Sequence, residues 1–257
     1  MSETVLLNYE NDVATVTLNR PEQLNAMNEE LLIDLQEKLD KVQRSEAKIL
    51  VVTGNGKAFS AGGDMKMMLQ ASGPDTFNDV MSKIRDIVLT LYQMPKITIS
   101  ALNGATAGLG LSIALASDYV IAKSDAKVAM NFIGIGLIPD GGGHFFMEQR
   151  VGTVKAKQLI WEGKTLTAKE AEQLQLIDLS TDEDLNQVVN GYVHKLKHAP
   201  ILAMIESKGI LNSQQISKLK AILDSETNGQ LSMRQTEDHQ EGVQAFLNKR
   251  QPQFTWK

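Results

Sequence analysis

Two glycine-rich stretches constrain this chain most: Gly54-Asn55-Gly56-Lys57-Ala58-Phe59-Ser60-Ala61-Gly62-Gly63-Asp64 and Asn103-Gly104-Ala105-Thr106-Ala107-Gly108-Leu109-Gly110. Each follows an apolar, β-branched run, at 49–53 and 97–102, and stands ahead of a helical pattern. Both are therefore expected to be tight connections in a repeating α/β layout. Backbone N–H groups at helix starts have no intrahelical acceptor. Two such sets brought together can donate to one anionic oxygen. A third stretch, Gly134-Ile135-Gly136-Leu137-Ile138-Pro139-Asp140-Gly141-Gly142-Gly143, offers a carboxylate, Asp140, between apolar residues and a flexible turn. Together the three would make an enolate-forming site. The same glycines also suit simple turns, and Asp140 suits an Asp-Gly turn or a helix N-cap.

Residues 5–9 and 13–18 are strand-like and separated by Glu10-Asn11-Asp12, which reads as a hairpin. Residues 28–42 put Leu31, Leu32, Leu35, Leu39 and Val42 at helical spacing, and 49–53 follows as a buried strand. The rhythm recurs through a helix at 77–92, a strand at 97–102, a helix start at 108–116 and a strand at 119–122. An α/β core with helices outside the strands follows. From Val154 onward strands nearly vanish, and 154–161, 168–174, 184–197, 201–210, 214–228 and 232–247 read as separate helices. The expected division is a core over 1–195 and a helical region over 196–257, whose surplus amphipathic faces suit contact with another subunit.

With 42% apolar residues in 257, the chain can bury a sizeable core. Its net charge of −5 argues against broad nucleic-acid binding, which needs a basic surface. No cysteine is present, which excludes disulfides, thiolate nucleophiles, zinc–thiolate sites and iron–sulfur clusters. Met1-Ser2-Glu3-Thr4 lacks the pattern of a secretory signal, and no apolar run reaches membrane-span length, so a cytoplasmic protein without a membrane partner is expected. Gly54-Asn55-Gly56-Lys57 is not a phosphate-binding P-loop, because Val51 and Ala58 replace the required glycine and hydroxyl. His194 and His198 alternate with Lys195 and Lys197 and read as a solvated helix face, not a metal site.

Several ordered motifs resemble the enoyl-CoA hydratase/isomerase, or crotonase, superfamily. They are Leu18-Asn19-Arg20-Pro21 with Leu24-Asn25-Ala26-Met27, Ala58-Phe59-Ser60-Ala61-Gly62-Gly63-Asp64-Met65, Asn103-Gly104 with Ala107-Gly108, Ser117-Asp118, and Glu241-Gly242-Val243-Gln244-Ala245-Phe246-Leu247-Asn248-Lys249-Arg250. The resemblance implies a crotonase-like spiral of ββα turns, and a helical C-terminal region that builds a homotrimer or dimer of trimers. It also implies acyl-CoA substrates, with coenzyme A belonging to the substrate and no separate cofactor. Gly136-Leu137-Ile138-Pro139-Asp140 and Gln251-Pro252-Gln253-Phe254-Thr255 look like the phenylacetate-pathway isomerase branch, from which His144-Phe145-Phe146 departs.

By family position, the N–H groups of Gly63 and Leu109 would form the oxyanion hole, and Asp140 would carry the proton. Ser112 and Phe132 stand where hydratases of the superfamily hold water between two glutamates, which favours a one-base isomerisation. A hydratase that recruits water through other residues, and a catalytically weak scaffold of the same fold, are the alternatives. For the coenzyme A moiety the resemblance implies Ala61, Gly63, Asp64 and Met65 near adenine and pantetheine. Gln23 and Leu24 would line the entrance, Phe132 an apolar wall, and Phe246 and Lys249 would come from a neighbouring subunit. Residues 69–77 and those around Phe132 and Phe146 would set the size of the acyl pocket, with Met65, Met67 and Met68 as pocket or core packing.

Overall fold

The computed structural model describes residues 3–65 and 74–257. β1 (Val5–Glu10) and β2 (Val13–Leu18) form the expected antiparallel hairpin, with Val5 opposite Leu18. Its turn residues Asn11 and Asp12 both take positive φ, the backbone that suits a twisted hairpin.

Three successive segments then each give one strand to a six-stranded sheet and the next to a four-stranded sheet. They are β3 (Ile49–Gly54) with β4 (Ala58–Ser60), β5 (Ile97–Leu102) with β6 (Ala105–Ala107), and β7 (Tyr119–Lys123) with β8 (Lys127–Ala129). β9 (Leu166–Thr167) and β10 (Leu179–Thr181) complete the orders β4-β6-β8-β9 and β1-β2-β3-β5-β7-β10. β3, β5 and β7 are mutually parallel, and so are β4, β6 and β8. Each corner between the sheets is short. At one of them a Cβ on Gly104 would lie 2.1 Å from the Lys57 carbonyl oxygen, so only glycine fits.

The helices are α1 (Glu29–Arg44), α2 (Pro74–Tyr92), α3 (Leu109–Leu115), α4 (Gly143–Glu162), α5 (Ala168–Gln173), α6 (Leu185–Lys197), α7 (Ile201–Met233) and α8 (Glu237–Leu247). Asn28 caps α1 by accepting the Leu31 N–H at 3.0 Å, and the expected stripe from Leu31 to Val42 is buried. Leu50 and Val52 of β3 join the main core, while Ile49 and Val51 meet Leu185, Val189 and Leu196 of α6 on the opposite face. Burial on both faces explains why that strand reads as an unbroken apolar run.

The C-terminal helices differ from the sequence expectation. Residues 201–210 and 214–228 belong to one 33-residue helix, α7. Ser213 does not cap a new helix; its hydroxyl donates back to the Ile210 carbonyl at 2.8 Å, and Asn212 reaches across to the Tyr92 carbonyl. The break falls at 234–236, where Thr236 accepts the His239 N–H and starts α8. Residues 154–161 are the second half of α4, which Gly152 interrupts with φ of 74°.

Candidate active site

Because β4, β6 and β8 run parallel, their C-terminal ends set Ala61-Gly62-Gly63, Gly108-Leu109 and the residues before Phe132 side by side. Parallel α/β sheets bind ligands at this edge. Gly62, at φ of +92°, lets the first two loops touch: a Cβ there would stand 2.8 Å from the Ala107 oxygen and 3.4 Å from the Leu109 nitrogen. Backbone bonds hold the loops. Met27 N–H donates to the Gly62 carbonyl at 2.8 Å, Asp64 N–H to Met27 at 3.0 Å, and Gly108 N–H to Ala129 at 2.9 Å. With these neighbours engaged, the N–H groups of Gly63 and Leu109 have no acceptor among the described residues. Unpaired amides are rare inside proteins, and two together mark a place for an anionic oxygen.

Asp140 is fixed through its backbone. Its carbonyl accepts the Ser112 hydroxyl at 2.7 Å and the Gly143 N–H at 3.1 Å. The Asp140 residue is partly exposed, yet its Oδ1 is sealed from solvent and has no hydrogen-bond partner among the described residues. Burial, reinforced by the nearby negative charge of Glu226, raises this carboxyl from 3.8 to about 8, against an opposing pull from Arg234.

Two cavities meet at Gly63, Leu109 and Asp140. The inner one is walled by apolar side chains such as Met27, Leu32, Phe77 and Ile84, with Arg234 and Gln230 as polar exceptions. The outer one is lined by Ala61, Met65, Phe132, Ile135 and Phe246. The three residues common to both are the expected oxyanion donors and base.

Other expected contact residues stand outside the two cavities of this chain. Asp64 does not line either cavity; it pairs with Arg20, Oδ2 to Nη1 at 3.1 Å, tying the loops that carry Arg20 and Gly63. Gln23 and Leu24 are exposed and line neither cavity, although the Leu24 carbonyl accepts the Ala61 N–H at 2.9 Å. Lys249 is exposed beyond α8 and also lines neither. Phe146 is buried against Phe145 and Tyr92, with ring centroids 5.2 and 5.9 Å away, and does not set the cavity's size. Part of the 69–77 window, together with Met67 and Met68, lies outside the described residues, whereas Phe77 walls the inner cavity. Phe246, expected to come from a neighbouring subunit, lines the outer cavity of its own chain, because α8 folds back on the 133–135 turn, with Gly242 against the Ile135 backbone and His239 Nδ1 2.8 Å from the Ile135 oxygen.

Sequence reasoning missed Glu226 and Gln230 on α7 and Arg234 at its C-cap. Glu226 is 2% exposed; its Oε2 accepts the Gly142 N–H at 2.7 Å, and its Oε1 accepts the His144 N–H at 3.0 Å and lies 2.7 Å from His144 Nδ1. Gln230 Nε2 donates to the Ile138 carbonyl, and the Arg234 guanidinium lies 5.1 Å from the Phe77 ring centroid. A signal was present: the buried stripe of Leu219 and Leu223 continues at helical spacing into Glu226 and Gln230, polar residues where apolar ones would normally stand.

Residues 8–257 match the family model described as enoyl-CoA hydratase/isomerase. YhaR of Bacillus subtilis (strain 168), named only to the level of enoyl-CoA hydratase/isomerase, is 50% identical over 94% of this chain and 95% of its own. The 1,2-epoxyphenylacetyl-CoA isomerase of Escherichia coli (strain K12) is 37% identical over the whole of both chains. Among solved structures, an enoyl-CoA hydratase from Mycobacterium avium subsp. paratuberculosis K-10 superposes with a TM-score of 0.89 at 27% identity, over 98% of each chain. The spiral of paired strands and helices is thus the crotonase-like architecture.

Proposed function

Because the chain belongs to the enoyl-CoA hydratase/isomerase family, we propose that it moves a carbon–carbon double bond within an acyl-CoA thioester, using Asp140 as the single proton carrier. One observation carries this reading: among the described residues lining the two cavities, Asp140 is the one carboxylate. Hydration needs a held water and proton delivery, and the two family positions for that task are Ser112, whose hydroxyl is spent on the Asp140 backbone, and Phe132. A double-bond shift needs one base that gives back what it takes.

In this reading the coenzyme A arm enters through the outer cavity and the acyl chain occupies the inner one. The thioester oxygen lies between the N–H groups of Gly63 and Leu109. The Asp140 carboxylate removes a proton from C2 of a 3-enoyl thioester, and the C–H electrons flow into a dienolate whose charge rests on that oxygen. Asp140, now a carboxylic acid, returns the proton to C4. The double bond ends between C2 and C3, and the carboxylate is restored. Losing either amide donor would cost about 3 kcal/mol of transition-state stabilisation. The exposed Trp161, Leu202, Ile210 and Leu211 support assembly of the helical region into a homotrimer or dimer of trimers.

Product analysis with cis-3-hexenoyl-CoA and crotonyl-CoA tests this function. Wild type is expected to convert the first to the 2-enoyl thioester and to leave crotonyl-CoA essentially unhydrated, while D140A loses isomerisation by about a thousandfold. Rapid formation of 3-hydroxyacyl-CoA that survives in D140A would overturn the assignment.

A further inference from the structure

Glu226 and Gln230 of α7 and Arg234 at its C-cap are spaced four residues apart and run beside the segment that carries Asp140. Gln230 holds the Ile138 carbonyl on the N-terminal side of Asp140, and Glu226 holds the Gly142 and His144 amides on its C-terminal side. One helix therefore grips both ends of the loop. Gly229 permits the approach, since a Cβ there would come within 2.4 Å of the Ile138 Cδ1. Glu226 also sits at the start of α4, where unpaired amides and the helix dipole favour an anion.

We infer that this ridge is a positioning device for the proton carrier: Gln230 and Glu226 hold the Asp140 loop at both ends, and Glu226 and Arg234 set an acidic and a basic side chain beside it. The inference rests on the proposed role of Asp140. Two carboxylates in a poorly solvated space oppose each other's ionisation, so Asp140 binds its proton more tightly than an isolated carboxyl would. A weakly acidic C2 proton calls for such a base. Excessive proton affinity would leave Asp140 permanently protonated, and Arg234 counters this. The other ionisable groups are His144 against Glu226, His239 on α8 near Arg234, and the Arg20–Asp64 pair behind Gly63. Towards the inner cavity, α1, α2 and α3 present apolar side chains such as Leu32, Phe77, Met81 and Leu109.

The test follows the titration of the Asp140 carboxyl by carbon NMR in protein carrying labelled aspartate, assigned with D140N, alongside the pH profile of kcat/KM. Wild type is expected to titrate near pH 8. E226Q is expected to lower the midpoint by about one pH unit or more and to reduce plateau kcat about tenfold with little change in KM. R234Q is expected to raise the midpoint. Opposite shifts require charge, since mere loosening of the loop would not move the two variants in opposite directions. An unchanged midpoint in E226Q, or shifts of the same sign in both, would overturn the inference. If E226Q does not fold, an unmoved or lowered midpoint in R234Q overturns it, and a raised one supports it. Because the NMR midpoint is independent of the reaction, opposite shifts in a protein that fails to isomerise 3-enoyl-CoA would uphold the clamp and reject the functional reading.

Discussion

Asp140 has an ordinary carboxyl pKa of 3.8 when unfolded and one raised to about 8 in the native state. The sign follows from linkage: below about pH 4 the carboxyl is protonated in both states and pH has no effect through it. Between about 4 and 8 the unfolded form releases its proton while the native form retains it, so rising pH removes native stability, by at most about 1.4 kcal/mol per pH unit. Above about 8 the loss is constant. D140N abolishes this dependence, and calorimetry should show its Tm advantage over wild type growing from pH 5 to pH 8 and then levelling. A difference that stays flat across that range would mean that the carboxyl is not perturbed. Ser112 shows how far the sequence reaches at this scale. That it is not a carboxylate was legible; that its hydroxyl pins the Asp140 backbone depends on a contact across 28 residues of chain.

At the scale of elements, the short motif Leu24-Asn25-Ala26-Met27 acts as a lock. Asn25 is fully buried, accepts the Arg20 N–H at 2.8 Å, and donates to the Asn55 and Ala58 carbonyls at 3.0 and 2.8 Å. Met27 then bridges to Gly63, so the lock reaches the loop that lines both cavities. N25A removes three hydrogen bonds at a fully buried position, leaving the Arg20 N–H without its acceptor, and is expected to destabilise the protein by on the order of 3 kcal/mol in urea unfolding. N28A, which removes the α1 cap, is expected to cost about 1 kcal/mol. Equal effects would show that Asn25 is only a turn residue. Ser117-Asp118 is structural in the same way: Asp118 accepts Thr98 N–H and hydroxyl and pairs with Lys208 of α7 at 2.8 Å. The strands and α1 were readable because their periodicity reports burial directly. The unbroken α7 was not, since Leu211-Asn212-Ser213 imitates a boundary and only contact with Tyr92 reveals its use.

Across the whole molecule, the spiral brings loops from three ββα turns to one edge, α7 holds the Asp140 segment, and α8 closes the outer cavity with Phe246 of the same chain. The motif around Phe246 was visible in the sequence. Its place beside the outer cavity was not, because an amphipathic helix fits any complementary surface, and close packing of Gly242 on Ile135 is what sets α8 there. The central claim is that the Asp140 carboxyl alone takes a proton from C2 and returns it to C4. The most direct measurement uses a 3-enoyl-CoA with deuterium at C2, converted in ordinary water under single-turnover conditions, with the label located by NMR and mass spectrometry. Transfer by Asp140 without exchange into solvent gives product with deuterium at C4. Solvent hydrogen at C4 in every product molecule, with all the label released to water, would contradict it.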